Sequence, residues 1–430
     1  MVTGIELINT RARSNHTEKF SALMHHFSED NLKECFESLD GKKALGIDRI
    51  SKEEYGQNLE ENLRTLVNSL KEMSYKPKPV RRVEILKEDG TTRPLGISCF
   101  EDKIIQEMTR RILEAIYEPV FIETSYGFRP GRNCHDALRK LDSELMSKPV
   151  NWIVDMDISR FFDTMPHDEI LTLLSERISD SKFLRIVSRQ LKSGINYPSG
   201  VEYSELGTQQ GSVVSPILAN IYLDKVLDKW FCEELKVFFN GYCELIRYAD
   251  DAVAVFETEE EAAKFMKVLP LRLAKYGLEL NKNKTKIIRF SRKDKDNQTS
   301  FDFLGFTHYW GKSKSGKVRL KRKTSKKRLR RAIVNMSQWI KQNRNKFPLR
   351  EIWKTISSKM RGHINYFGIS DNFPSLKKFD NEVKNQLFIW LNKRSQRKSF
   401  TWENFKIYTV KFPLPKPKIR ISMFSLYAKN

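Results

Sequence analysis

GYCELIRYADDAVAVF, residues 241–256, sets two apolar, β-prone runs, Leu245-Ile246 and Ala252 to Phe256, on either side of Tyr248-Ala249-Asp250-Asp251. The pattern is that of a strand, a tight turn and a returning strand, with adjacent carboxylates at the turn. Asp tolerates turn geometry, so a pair of them there is commonplace by itself. A second stretch gives the pair a partner. WIVDMDI, Trp152 to Ile158, is another apolar strand ending in carboxylates, about 90 residues upstream. Two strand ends that each present an Asp can meet on neighbouring strands and hold two divalent cations roughly 3.5–4 Å apart, one activating an attacking hydroxyl and the other a leaving phosphate. Oxygen ligands and a phosphate-bearing substrate favour Mg²⁺.

The chain around this pair has 430 residues, more than a single core usually fills, so about two to four domains are expected. Its five cysteines, Cys35, Cys99, Cys134, Cys232 and Cys243, are scattered and never spaced as CxxC. That argues for a reducing compartment and against a disulfide frame or a zinc module. His135 and His167 lack metal-ligand spacing and read as structural. No apolar run approaches the roughly 18–20 residues that span a bilayer, so no membrane partner is expected. The opening residues, MVTGIELINTRARSNHTEKF, lack a long apolar core and carry Glu6 and Glu18, unlike a secretory signal.

The net charge of +23 is unevenly placed. Residues 311–430 hold 32 Lys and Arg against five Asp and Glu, while the first 310 residues are slightly acidic. This basic stretch is interleaved with Trp339, Trp353, Tyr366, Phe367, Trp390 and Trp402. Positive charge among flat rings suits a nucleic acid, which offers phosphates and stacking surfaces together. A merely solvated surface would not need the aromatics, and attraction to lipid would want an amphipathic anchor.

In chain order, residues 18 to 75 read as helical, and the alternation from Tyr75 to Ile97 reads as a β-hairpin turning at Lys87 to Thr92. Lys87 and Arg93 bracket that turn and can clamp a triphosphate. Asp102 to Phe121 carries an apolar stripe and stops at Pro119, as a core helix does. Gly and Pro shape the loop SYGFRPGRNCHDAL, whose Arg129 and Arg132 can reach phosphates or else serve the loop structurally. Helices are expected from His167 to about Ser193, then a β-ribbon from Ile195 to Glu205. The Gly-bounded polar loop GTQQGSVVSP, residues 207–216, opens a helix from Ile217 to Trp230 and suits contact with phosphates or a base pair. Further helices are expected over Glu257 to Tyr276, Lys321 to Lys341, Leu349 to Phe367 and Asn381 to Lys393. Pro413, Pro415 and Pro417 make the end an extended arm.

The order of these motifs resembles the reverse transcriptases encoded by group II introns, of the type lacking an endonuclease. RRVEILKEDGTTRPLGIS, SYGFRPGRNCHDAL, DMDISRFFD, GTQQGSVVSPILANIYL, RYADDAVAVF, GLELNKNKTKI and FDFLGF carry the resemblance, in sequence over Leu45 to Phe306. IWKTISSKMRGHINYF and WLNKR resemble the thumb and maturase region. The resemblance implies an α+β, right-hand polymerase with fingers, palm and thumb on an antiparallel palm sheet, followed by a helical, basic thumb and maturase module. The implied division is a helical N-terminal extension over 1–44, fingers and palm over 45–310, thumb over 311–370, and an RNA-binding maturase region with a basic arm over 371–430.

Carried over residue by residue, Asp157, Asp250 and Asp251 match the catalytic carboxylates for two Mg²⁺ ions, and Ile158 would lend a main-chain carbonyl. Phe162 matches the bulky residue that rejects a ribose 2′-hydroxyl. Lys87 and Arg93 match residues on the incoming triphosphate, and Gln210 and Gly211 the loop beside the nascent base pair. Arg129, Arg132, Lys284, Arg361, Lys393 and Arg394 are the implied nucleic-acid contacts. Gln209 stands where the family usually has Pro, which frees φ and loosens the loop. The tail lacks the Cys pairs and His-Asn-His pattern of a homing endonuclease, so DNA-strand cutting is not expected. The implied function is RNA-dependent DNA synthesis on intron RNA from a DNA primer with deoxynucleotides, together with assistance to splicing. The setting would be the nucleoid of a bacterial cytoplasm, with an organelle as the alternative. The rivals are a maturase with an idle polymerase, and a polymerase freed from introns that serves phage defence or repair.

Overall fold

A computed structural model describes residues 4–86, 92–197, 199–209, 211–294, 298–313, 315–397 and 399–423, with the side chains of Leu86 and Arg93 outside the description. The chain divides into two compact units, residues 1–137 with 153–287, and residues 138–152 with 288–430. Both combine helices with mainly antiparallel sheets, as the resemblance implied.

In chain order the helices and strands are α1 (Gly4–Ser14), α2 (Glu29–Ser38), α3 (Lys52–Gly56), α4 (Leu59–Lys71), β1 (Val80–Leu86), β2 (Thr92–Ile97), α5 (Phe100–Tyr117), α6 (Cys134–Ser147), β3 (Trp152–Met156), α7 (Phe161–Thr164), α8 (His167–Ser175), α9 (Ser181–Leu191), β4 (Ile195–Tyr197) and β5 (Gly200–Glu202). They continue through α10 (Ser215–Leu223), β6 (Cys243–Tyr248), β7 (Asp251–Phe256), α11 (Glu259–Lys275), β8 (Lys286–Arg289), β9 (Ser300–Phe303), β10 (Phe306–Lys312), β11 (Val318–Thr324), α12 (Lys326–Asn343), α13 (Leu349–Phe367), α14 (Phe373–Leu391) and α15 (Trp402–Lys411).

The first unit is organised by two four-stranded sheets, one of order β2-β1-β4-β5 and one of order β6-β7-β3-β8. In the second of these, every residue of β7 after Asp251 is buried, so its apolar run is continuous rather than alternating. α11 is set by the Thr258 cap, whose hydroxyl accepts from the Glu261 N–H, with three Glu in its first turn and Arg272 and Lys275 in its last. Those charges complement the helix dipole at both ends. The helix expected from Ile217 to Trp230 is instead α10 followed by a π-helical stretch, Asp224–Leu235. The wider turn changes which side chains face the sheet, a feature that recurs near functional sites.

The second unit packs α12, α13, α14 and α15 around Met336, Ile340, Ile352, Ile356, Met360, Phe379, Val383 and Leu387, with Trp353 in the same core. Beside it stands the antiparallel sheet of order β11-β10-β9. The expected helix start at Lys321 is corrected here, because residues 321–324 belong to β11. Leu320, Arg322 and Thr324 are its buried alternate positions, and the basic side chains hid the two-residue period. The expected helix from Asn381 begins eight residues earlier, with Pro374 in its first turn. Among the described residues no helix is long and apolar enough to cross a membrane.

Candidate active site

The turn that opens β7 is built from the inside outward. Tyr248 pairs with Asp251 across the hairpin, leaving Ala249 and Asp250 as its two-residue link. Ala249 adopts φ +57, a left-handed conformation that a residue with a Cβ takes at a cost of about 1–2 kcal/mol. Its neighbours hold it there. The Arg247 side chain is wholly buried in β6 and donates from Nη1 to the Ala249 carbonyl at 2.9 Å and to Asn220 Oδ1 at 3.1 Å. Its Nε reaches Asp228 Oδ1 at 2.8 Å, and its Nη2 pairs with the same carboxylate. Asp228 lies in the π-helical stretch, and Asn220, in α10, donates to the Gly127 carbonyl at 2.8 Å.

That last bond brings the loop after α5 against the turn. Tyr126 N–H donates to the Arg247 carbonyl, and Arg247 N–H to the Thr124 carbonyl, each at 2.9 Å. A Cβ on Gly127 would stand 2.3 Å from the Ala249 nitrogen, so no other residue fits without moving backbone. Gly127→Ala is therefore expected to cost about 1–3 kcal/mol of stability by overpacking. The check is a chemical melt beside Gly362→Ala, whose added methyl meets nothing within 4 Å and should be neutral or slightly stabilising.

Asp157 follows β3, the hydrogen-bonded neighbour of β7, so the two carboxylate-bearing ends sit on adjacent strands of one sheet. The segment from Glu279 to Thr285 clamps it. Asn281 N–H donates to the Asp157 carbonyl at 2.8 Å, and Ser159 N–H to the Glu279 carbonyl at 2.7 Å. Asp157 N–H donates to Thr285 Oγ1 at 3.3 Å, and Asn281 Nδ2 to Asp157 Oδ2 at 2.9 Å. The Lys284 ammonium stands 3.2 Å from Oδ2 and 3.4 Å from Oδ1. Ile158 bridges Leu280 between those two main-chain bonds, a position whose own N–H and carbonyl point away from the partner segment. Carboxylate and main-chain oxygens without Cys or His make a donor set that suits a hard divalent cation. Among the described residues no three His, Cys, Asp or Glu side chains are already gathered at metal-holding distance.

Phe162, in α7, packs edge-to-face on Phe161 and lines a cavity of about 420 Å³ with Gly96, Tyr197, Leu206, Gly207 and Gln209. The Glu205–Thr208 segment fixes the wall that carries it. Thr208 N–H donates to the Phe162 carbonyl at 2.7 Å, and Gly207 N–H to the Met165 carbonyl at 2.8 Å. His167 Nε2 lies 2.6 Å from the Gly207 carbonyl, and burial holds its pKa below the usual imidazole value. A neutral ring facing a carbonyl must donate, which makes His167 a positioning group for this wall. Gly211 has φ +109, and a Cβ there would meet the Gly96 carbonyl at 2.9 Å. The Gln209 side chain donates to Ser193 Oγ, and the main-chain carbonyl of Gln209 accepts from Ser212 N–H and Ser215 Oγ. The loop is thus anchored without the proline.

Lys87 and Gln210 lie outside the described residues, as does the side chain of Arg93, whose backbone pairs with Ile85 in the β1–β2 hairpin. Of the two roles expected for Arg129, the structure shows the structural one. The residue is buried, ion-paired with Glu118, and donates to the carbonyls of Ile122 and Ser125, so its guanidinium is spent on the loop. Arg132 is half-buried against Glu123 and the Ser125 carbonyl. Arg361 is exposed on α13. Lys393 lies 5.1 Å from the Trp390 ring centroid, with Arg344 at 5.3 Å and Lys341 at 5.5 Å, and Arg394 reaches the Phe347 carbonyl. These cations crowd the C-terminal ends of α12 and α14, where the helix dipoles favour them. Sequence reading passed over Arg247 and Asp228. The available sign was a charge inside an otherwise apolar run, Leu245-Ile246-Arg247, matched by a lone Asp between Leu227 and Trp230.

The pattern of the family described as reverse transcriptase (RNA-dependent DNA polymerase) matches residues 85–308, just over half of the chain. That of the group II intron, maturase-specific domain matches residues 326–408. The group II intron-encoded protein LtrA of Lactococcus lactis subsp. cremoris is 38% identical over 240 residues, which are 55% of this chain and 39% of LtrA. An uncharacterized 91 kDa protein in the cob intron of Schizosaccharomyces pombe is 45% identical over 175 residues, 41% of this chain and 21% of that protein. Protein YkfC of Escherichia coli is 34% identical over 191 residues, 44% of this chain and 50% of YkfC. The chain thus spans half or less of the length of each of these curated relatives. Because the first pattern covers Asp157 and the Asp250 turn and the second covers α12 to α14 and most of α15, the chain belongs to the reverse transcriptase (RNA-dependent DNA polymerase) family, in the form that carries a group II intron maturase-specific domain.

Proposed function

We propose that the chain is an RNA-dependent DNA polymerase that extends a DNA primer on intron RNA, and that its basic C-terminal region binds the same RNA to assist splicing. The observation that carries this reading is that Asp157 and the Asp250–Asp251 turn stand at the ends of neighbouring strands of one sheet, with Phe162 walling a cavity. In this reading the strands and flanking helices form the fingers and palm of a right hand up to about residue 310. The thumb then runs to about 370, the maturase region beyond it, and the helical extension over 1–44 precedes them.

Asp157, Asp250, Asp251 and the Ile158 carbonyl would hold two Mg²⁺ ions. Bound there, divalent cations lower the pKa of a primer 3′-hydroxyl and neutralise the departing pyrophosphate. The chain's own residues do the positioning. Arg247 holds the turn, the Asn281–Thr285 clamp holds Asp157, and the wall at Phe162 meets the sugar of an incoming deoxynucleotide. Lys87 and Arg93 would take its triphosphate, and Gln210 and Gly211 would flank the nascent pair. Arg132, Arg361, Lys393 and Arg394 remain as contacts to RNA or DNA backbone. The cations around Trp390 suit phosphates, since a ring already faced by three of them is poorly open to a base. The substrates place the protein with nucleic acid, at a bacterial nucleoid or in an organelle.

Primer extension on an RNA template with Mg²⁺ and each nucleotide type tests the reading. Wild type should extend with deoxynucleotides, and failure of folded protein to do so would overturn it. Phe162→Val, which shortens the wall without emptying it, should admit ribonucleotides roughly 10- to 100-fold better, the scale of a relieved steric clash. The ratio of kcat/KM for deoxy- and ribonucleotides is the quantity to compare.

A further inference from the structure

We infer that Lys284 is a resident counter-ion of Asp157, holding the carboxylate in the resting protein and yielding its place to a divalent cation. The inference rests on the reading of Asp157 as a metal ligand. Its starting point is an asymmetry among the groups that surround this residue. Three of its contacts come from short or main-chain groups with little freedom: Asn281 N–H, Asn281 Nδ2 and Thr285 Oγ1. Thr285 is itself buried, and its N–H donates to the Asn281 carbonyl at 2.9 Å, so the clamp is closed on itself. The fourth contact is different. Lys284 reaches the carboxylate through a long stem whose side chain is 64% exposed, and its ammonium straddles both oxygens at 3.2 and 3.4 Å.

Oδ2 is therefore fixed by an amide, whereas Oδ1 is met by the ammonium, at the longer distance. An octahedral Mg²⁺ demands a carboxylate oxygen at roughly 2.0–2.1 Å. An ammonium straddling the same carboxylate then repels the ion and blocks its approach, so the two cations compete. Lysine suits such an exchange better than arginine. Its point charge makes no planar, two-pronged grip, and its flexible stem can withdraw into water. An exposed pair of this kind is weak, and weakness is what a displaceable occupant needs. A purely structural lysine is the competing account, but the Asn281 and Thr285 contacts already order this segment.

The test uses the full chain without nucleic acid or nucleotide, with Mn²⁺ as probe and the electron paramagnetic resonance signal of free Mn²⁺ as readout. Wild type, Asp157→Asn, Lys284→Met, Lys284→Arg and the Asp157→Asn/Lys284→Met double variant are compared. Lys284→Met should bind Mn²⁺ roughly two- to five-fold more tightly than wild type, the range of an exposed pair, and the gain should shrink as salt is raised. Lys284→Arg should bind no more tightly than wild type. In the Asp157→Asn background the Lys284→Met gain should vanish. If Asp157→Asn weakens Mn²⁺ binding while Lys284→Met leaves it unchanged or weaker, the counter-ion inference is overturned and the metal-ligand reading stands. If Asp157→Asn leaves Mn²⁺ binding as in wild type, Asp157 is no ligand and both readings fall together.

Discussion

Asp250→Asn is expected to lower RNA-templated primer extension at least about a thousand-fold, which corresponds to a loss of about 4 kcal/mol of transition-state stabilisation. The melting temperature should stay near that of wild type. The two halves of this expectation come from different features of the turn. Asn keeps the shape of Asp and tolerates turn geometry equally well, so the hairpin should close as before. Asp250 is only half-buried, and the strained residue beside it, Ala249, is held at its carbonyl by the Arg247 guanidinium. Substitutions outside the buried core that keep shape usually change stability by about 0.5 kcal/mol or less. Chemistry is another matter, because phosphoryl transfer depends almost wholly on positioned charge. Single-turnover extension with a preannealed primer separates the chemical step from binding. A variant that retained more than about a tenth of the wild-type rate would remove Asp250 from the reacting centre.

The parts of this arrangement that were legible in the sequence are those governed by local periodicity. β7 was readable because Ala252 to Phe256 is apolar throughout, and its burial on both faces is what such a run implies. α13 was readable to the residue, Leu349 to Phe367, because Pro348 precedes its apolar stripe and Gly368 follows it. Lys321 to Thr324 misled because Lys and Arg serve helix and strand alike. The buried Arg322 of β11, paired with Asp142 of α6, could not be told from its exposed neighbours without the pairing partner.

The site itself divides in the same way. Its carboxylates announce themselves only together, since one Asp pair at a turn is commonplace whereas two apolar strand ends that each carry Asp make a set. The groups that hold them do not. Lys284 and Asp157 are 127 residues apart, and Tyr126 meets Arg247 through main-chain atoms that carry no side-chain identity. Gly127 is a further example, its role being the absence of a Cβ beside Ala249. Sequence pattern exposes what reacts; the tertiary contacts that aim it become visible only when the chain is folded.

Arg247→Met is expected to destabilise the first unit by about 3–5 kcal/mol and to abolish activity, because it strands the buried Asp228 carboxylate without its partner. Both side chains are 1% exposed or less, so neither can recover water without opening the fold. Asp228→Leu should cost a similar amount by stranding the guanidinium. The double replacement is the informative case. Two apolar side chains of similar volume remove both charges together, and such exchanges in other interiors are often neutral or stabilising. Much of the stability should therefore return, as a large coupling energy in the double-mutant cycle. Activity should not return with it. Arg247 also donates to the Ala249 carbonyl and to Asn220 Oδ1, and Asn220 in turn holds the Gly127 carbonyl. A methionine supplies none of these bonds, so the left-handed residue beside Asp250 loses the donor that keeps it in place. A double variant with wild-type extension rates would mean that the ion pair serves the fold alone. Recovery of the melt without recovery of extension would mean that Arg247 spends its donors on two tasks: one set neutralises Asp228, and the other aims the catalytic turn.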